Sequence, residues 1–133
     1  MYKKIEGCEE QLIKGIGLDI TELDRIEKLV KRQPSFVTRI LTKNEKVSYD
    51  KLQGKRQIEF LAGRFSAKEA YSKALGTGIG KELSFQDIEV LNEHSGKPVL
   101  YVLNRNDNKN IHVSISHSQH YVVTQVIIES SSS

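Results

Sequence analysis

A chain of 133 residues is the length of one domain, which excludes a multidomain machine. Its apolar share of 38% is enough for a small core, while 28% charged residues and two prolines do not describe a chain too polar to fold. No run nears the ~18 apolar residues of a membrane helix, the N-terminus does not read as a secretory signal, and the lone Cys8 cannot form an internal disulfide. These features suggest a soluble cytoplasmic protein. The net charge is only +3, but residues 24–56 hold ten Lys/Arg against four Asp/Glu, a local +6. Such a segment is either a solvated helix surface or a face for an acidic partner, nucleic acid or protein.

Residues 1–11 form a charged lead-in without a period, residues 12–129 a single domain, and residues 130–133 a low-complexity tail. Leu12 to Ile20 (LIKGIGLDI) reads as a strand whose two glycines permit close backbone approach. Its Leu18 and Ile20 look buried. Thr21 and Asp24 resemble a capping box opening a helix with Leu23, Ile26, Leu29 and Val30 on one face and Arg25, Lys28 and Arg32 on another. Pro34 ends it. A short helix carrying Phe36, Val37, Ile40 and Leu41 follows, and Thr42 with Glu45 makes a capping box for a third. Arg56 to Leu75 is the strongest helix, apolar on nearly every side and closed by Gly76, so it should run through the middle of the protein.

The period then changes. Leu83 to Leu91, Pro98 to Leu103, Ile111 to His117 and Tyr121 to Glu129 read as strands; HSGKP and SQH are hairpin turns and NRNDNKN is a polar loop. An N-terminal strand, helices with a long central member, and then antiparallel hairpin-linked strands make an α+β fold.

On a wheel of ~100° per residue, Glu69 falls inside the apolar stripe of Ile58, Leu61, Ala62 and Phe65. A buried carboxylate needs a cation, a proton or an open cleft. Lys73 lies one turn on, with Ser72 beside it, so an internal Glu69–Lys73 pair is one account. The other enlists Asp19, a lone acid at the end of the glycine strand. Two carboxylates sharing a hard divalent ion such as Mg²⁺ would leave positions for phosphate oxygens, with Lys73 a point charge for the same phosphate. Spacing alone does not bring Asp19 to Glu69. GTGIG lacks the Walker lysine and follows a helix, so it is not a nucleotide fingerprint; helix capping is its simplest role. A Ser/His hydrolase site in HVSISHS lacks an acid and an oxyanion hole, and the histidines and Cys8 have no zinc spacing.

The segments GIGLDITELDRI, RILTKNE, EFLAGRFSAKEAYSKALGTGIG, LSFQDIEV, GKP and HVSISH, in that order, resemble the bacterial holo-[acyl-carrier-protein] synthases, the small class of 4′-phosphopantetheinyl transferase. The resemblance spans about Ile13 to Glu129 and leaves the lead-in outside. It implies that CoA gives its phosphopantetheine arm to a serine of apo-acyl carrier protein, for fatty acid biosynthesis, releasing adenosine 3′,5′-bisphosphate. It implies Mg²⁺ on Asp19 and Glu69, with Lys73 completing the catalytic set. It implies CoA contacts at Arg64, Ser72, Lys73, Gly76, Thr77, Gly78 and His117, and carrier docking on Arg25, Lys28 and Arg32. Ser35 stands where relatives are often basic. A homotrimer with active sites between subunits is also implied, with no role for nucleic acid or membrane. A non-catalytic basic module for nucleic acid is the alternative; its affinity would fall steeply with salt and ignore CoA.

Overall fold

The computed structural model describes residues 12–103 and 110–130. The lead-in with Cys8, most of NRNDNKN and the last three serines lie outside the described residues. The chain runs β1 (Ile13–Glu22), α1 (Leu23–Arg32), α2 (Ser35–Ile40), α3 (Lys43–Asp50) and α4 (Gly54–Leu75). A single 3₁₀ turn at Phe85–Asp87 then leads to β2 (Ile88–Asn92), β3 (Pro98–Val102), β4 (Ile111–His117) and β5 (Tyr121–Glu129). The strands form two antiparallel sheets, one ordered β1-β5-β4 and the other the hairpin β2-β3. This is the expected α+β arrangement of helices and hairpin-linked strands.

Helix α4 is the spine of the molecule. Its N-terminal half packs Leu61, Ala62 and Phe65 against Leu23, Ile26, Phe36, Val37 and Ile40 of the preceding helices. Its C-terminal half packs Ala67, Ala70 and Tyr71 against Ile88, Val90, Leu100, Val102 and Val126 of the sheets. Gly76 ends the helix in the left-handed region, at φ 83°, a conformation that costs glycine nothing sterically.

Three local expectations change. Thr21 does not cap α1: the N-cap is Glu22, which makes no side-chain capping bond, because Thr21 is still in β1 and turns inward. The Thr42–Glu45 box forms as expected. The strand expected from Leu83 begins at Ile88, since Ser84 and Asp87 close a capping box around the 3₁₀ turn instead. Leu18 and Ile20 are exposed, at 59% and 64%, with Ile16 beside them. The buried side of β1 is its glycine side, for a reason that also builds the functional site.

Candidate functional site

A Cβ on Gly15 would lie 2.1 Å from the Ala74 carbonyl oxygen, and one on Gly17 would lie 1.8 Å from that of Ala70. Backbone therefore rests on backbone, and only glycine fits at either place. Two residues along β1 correspond to four along α4 in the opposite direction, because ~6.7 Å of strand matches ~6 Å of helix. Continuing the step brings Asp19 to Ser66, and there the Ser66 hydroxyl donates to Asp19 Oδ2 at 2.7 Å. The helix column 62, 66, 70, 74 is Ala, Ser, Ala, Ala, small enough throughout for this approach.

Asp19 is held from several sides. Thr21 Oγ1 also donates to Oδ2 at 2.7 Å, and Lys73 Nζ lies 3.0 Å from Oδ1 while donating to the Leu18 carbonyl at 3.1 Å. The Asp19 side chain is 12% exposed and that of Lys73 51%, so the carboxylate is sheltered and the ammonium reaches solvent. Glu69, one helical turn before Lys73, is half-buried. Its carboxyl is pushed above the ordinary glutamate range, first by burial and then by the Asp19 charge, with Lys73 and Arg25 pulling the other way. Asp19, far in sequence from Glu69 and Lys73, thus acts on both within a single chain. Of the two accounts of Glu69, the one that enlists Asp19 fits the geometry: the strand delivers that carboxylate to the same face, where Lys73 pairs with it while still acting on Glu69.

Two hard carboxylates, one sheltered and one half-buried, beside a solvent-reaching ammonium suit a divalent ion of the Mg²⁺ type, which takes few protein ligands and keeps water or phosphate in the rest. Among the described residues no group of three His, Cys, Asp or Glu gathers as a self-sufficient metal cage. The donor set fits an ion whose coordination a substrate completes.

The remaining implied CoA contacts are engaged within this chain. Arg64 is buried about 140° around α4 from Glu69. Its guanidinium lies 4.0 Å from the Phe60 ring centre and donates to the Val90 carbonyl and Asn92 Oδ1. His117 Nδ1 lies 3.6 Å from Glu59. The Ser72 hydroxyl is spent on the Glu69 carbonyl, and the N–H groups of Gly76, Thr77 and Gly78 all turn back to the Ser72 carbonyl. The GTG segment is therefore a helix cap, as its sequence suggested.

Arg25, Lys28 and Arg32 line one side of α1 together with Glu22, Asp24 and Leu29, around a cleft of about 480 Å³. The acids temper the basic face: Lys28 pairs with Asp24 at 3.0 Å. Arg25 lies near enough to act on Glu69, which links this face to the carboxylates.

Sequence reasoning missed two features. Ser66, Thr21 and Thr124 around Asp19 look like ordinary small residues; the clue was the glycine pair on β1 matched by small residues every fourth position on α4. The second is Lys68, fully buried with Glu45 at 2.7 Å and donating also to the carbonyls of Ile40 and Phe85. Glu45 in turn accepts from the N–H groups of Thr42 and Val90. Lys68 directly precedes Glu69, and the position of a buried lysine in an apolar helix was its signal.

The 4′-phosphopantetheinyl transferase superfamily matches residues 15–126. A holo-[acyl-carrier-protein] synthase of Anoxybacillus flavithermus is 57% identical over 122 residues, 92% of this chain and 100% of the relative. One from Bacillus cytotoxicus is 56% identical, covering 91% and 99%. Among solved structures, a holo-(acyl-carrier-protein) synthase of Bacillus anthracis in complex with CoA (3′,5′-ADP) superposes with a TM-score of 0.82 at 55% identity, over 91% of this chain and 100% of that one. The Helicobacter pylori enzyme in complex with coenzyme A gives 0.73 at 38% identity, over 86% and 99%.

Proposed function

Because the chain belongs to the holo-[acyl-carrier-protein] synthase family of the 4′-phosphopantetheinyl transferase superfamily, we propose that Asp19, Glu69 and Lys73 carry its reaction. The enzyme transfers the 4′-phosphopantetheine arm of CoA to a serine of apo-acyl carrier protein. The serine oxygen bonds to the pantetheine-side phosphorus, the bond from that phosphorus to the bridging oxygen breaks, and adenosine 3′,5′-bisphosphate leaves. The observation that carries the assignment is the meeting of Asp19 with Lys73 beside Glu69.

Asp19 and Glu69 would hold Mg²⁺ as the cofactor, which would supply positive charge against the pyrophosphate oxygens. Lys73 meets the same phosphates as a point charge. The serine proton passes to Glu69 or to a water at the site. Arg25, Lys28 and Arg32 steer an acidic carrier onto α1. Arg25 brings that docking face up to Glu69, so a carrier seated there has its serine near the chemistry.

The site is shared between copies in a homotrimer. Ile16, Leu18 and Ile20 of β1 and Tyr121 and Val123 of β5 form an exposed apolar strip, a surface that a second copy would cover. Arg64, whose guanidinium is engaged with Phe60, Val90 and Asn92 in its own chain, and His117 would serve a neighbour's CoA. No helix among the described residues is long and apolar enough to cross a membrane, and cytoplasmic fatty acid biosynthesis is the setting that fits the carrier substrate. The nucleic-acid alternative has no support from these relatives. Incubation with apo carrier, CoA and Mg²⁺ should add one phosphopantetheine mass to the carrier by mass spectrometry, and EDTA should prevent it. An unmodified carrier would overturn the transfer reading, and full transfer in EDTA would overturn the metal.

A further inference from the structure

Asp19 has one oxygen bound by buried hydroxyls and the other by a half-exposed ammonium. Oδ2 accepts from both Thr21 and Ser66, at 2.7 Å each. A hydroxyl has one proton, and Ser66 spends its own on Asp19; its 2.8 Å contact with Thr124 Oγ1 must therefore be donated by Thr124. The direction of the chain is then determined: Thr124 to Ser66 to Asp19, with Thr21 joining at the end. All three hydroxyl residues are buried, at 3% exposure or less, so water does not compete for these bonds. They come from three elements: Thr21 from β1, Ser66 from α4, and Thr124 from β5, where it is directly opposite Asp19. Oδ1 carries only the half-exposed Lys73 ammonium.

We propose that Ser66, oriented by Thr124 and helped by Thr21, is the positioning residue that locks the Asp19 carboxylate with Oδ2 turned inward and Oδ1 presented to the cation. This rests on the reading of Asp19 as a metal ligand. Hydrogen bonds from buried groups to a ligating carboxylate set its orientation, and their loss typically weakens metal binding by about 10–100-fold. Lys73 reaches Oδ1 from the solvent side and can yield it to a cation, because its side chain is half in solvent while the hydroxyls are buried.

The test is Mn²⁺ binding to the full chain without CoA, read by electron paramagnetic resonance, alongside transfer kinetics and thermal melts. Ser66→Ala should weaken Mn²⁺ binding by about 10–100-fold. Thr124→Val should weaken it less, and Thr124→Ser, which keeps the hydroxyl, should restore it. At low metal the turnover of Ser66→Ala should drop and recover with added Mg²⁺, while KM for the carrier stays unchanged; a merely structural defect would not titrate away. If Ser66→Ala does not fold, Thr124→Val and its serine rescue carry the test. Wild-type Mn²⁺ affinity in the folded variants, with binding lost in Asp19→Asn, would overturn the positioning role alone. Wild-type affinity in Asp19→Asn would overturn the metal reading and the positioning role with it.

Discussion

At the scale of the residue, Glu69 is held where its charge is unwelcome. A carboxyl whose folded-state pKa is raised binds its proton more tightly in the native state than in the unfolded one, so stability falls as pH climbs above the unfolded value. Glu69→Gln should therefore melt at or above the wild-type temperature while turnover falls by at least ~10²-fold, as expected when a group acting on transition-state charge is lost. Unimpaired turnover in that variant would remove Glu69 from the mechanism. Docking is better tested at Arg32 than at Arg25, because Arg25 also acts on Glu69. Arg32→Glu should raise KM for the carrier by ~10-fold and leave KM for CoA nearly unchanged, in keeping with a charge that steers one partner. Equal effects on both substrates would reject the docking face.

At the scale of the element, the contact of β1 with α4 determines whether a site exists. Gly17→Ala puts a methyl 1.8 Å from the Ala70 carbonyl oxygen, a clash with backbone that no rotamer relieves. It should cost ~3 kcal/mol or more in denaturant unfolding and, if the protein still folds, remove Asp19 from Lys73. The second fastening is Lys68, which ties α4 to the end of α2, to the cap of α3 through Glu45, and to the 3₁₀ turn. Burial pushes its ammonium below the ordinary lysine range and Glu45 opposes that shift. Lys68→Met strands Glu45 and should cost ~3–5 kcal/mol; adding Glu45→Gln should regain part of it, because the uncompensated buried charge is then gone. Additive losses in the double variant would mean that the two groups are not a coupled pair.

At the scale of the whole molecule, the outer side of β1 and β5 is apolar and exposed. Its covering by other copies would let Arg64, about 140° around α4 from Glu69, serve a neighbouring copy's CoA. Leu18→Asp, at an exposed position, should leave the isolated chain folded, lower its mass by light scattering and reduce transfer in parallel. An unchanged mass would place the interface elsewhere.

The sequence by itself determined what depends on neighbours along the chain. The Thr42–Glu45 cap, the Gly76 stop, the hairpin strands β4 and β5 and the long apolar helix are all settled by residues within a few positions of one another. So was the oddity of Glu69 on an apolar stripe. Tertiary structure decided what depends on which faces meet. The alternation along β1 marked two sides, and only the helix lying across it made the glycine side the inner one and left Leu18 and Ile20 outside. The same crossing sent Lys73 to Asp19 and brought in Ser66, because an interaction between a strand and a helix almost fifty residues apart is set by packing geometry and not by local periodicity.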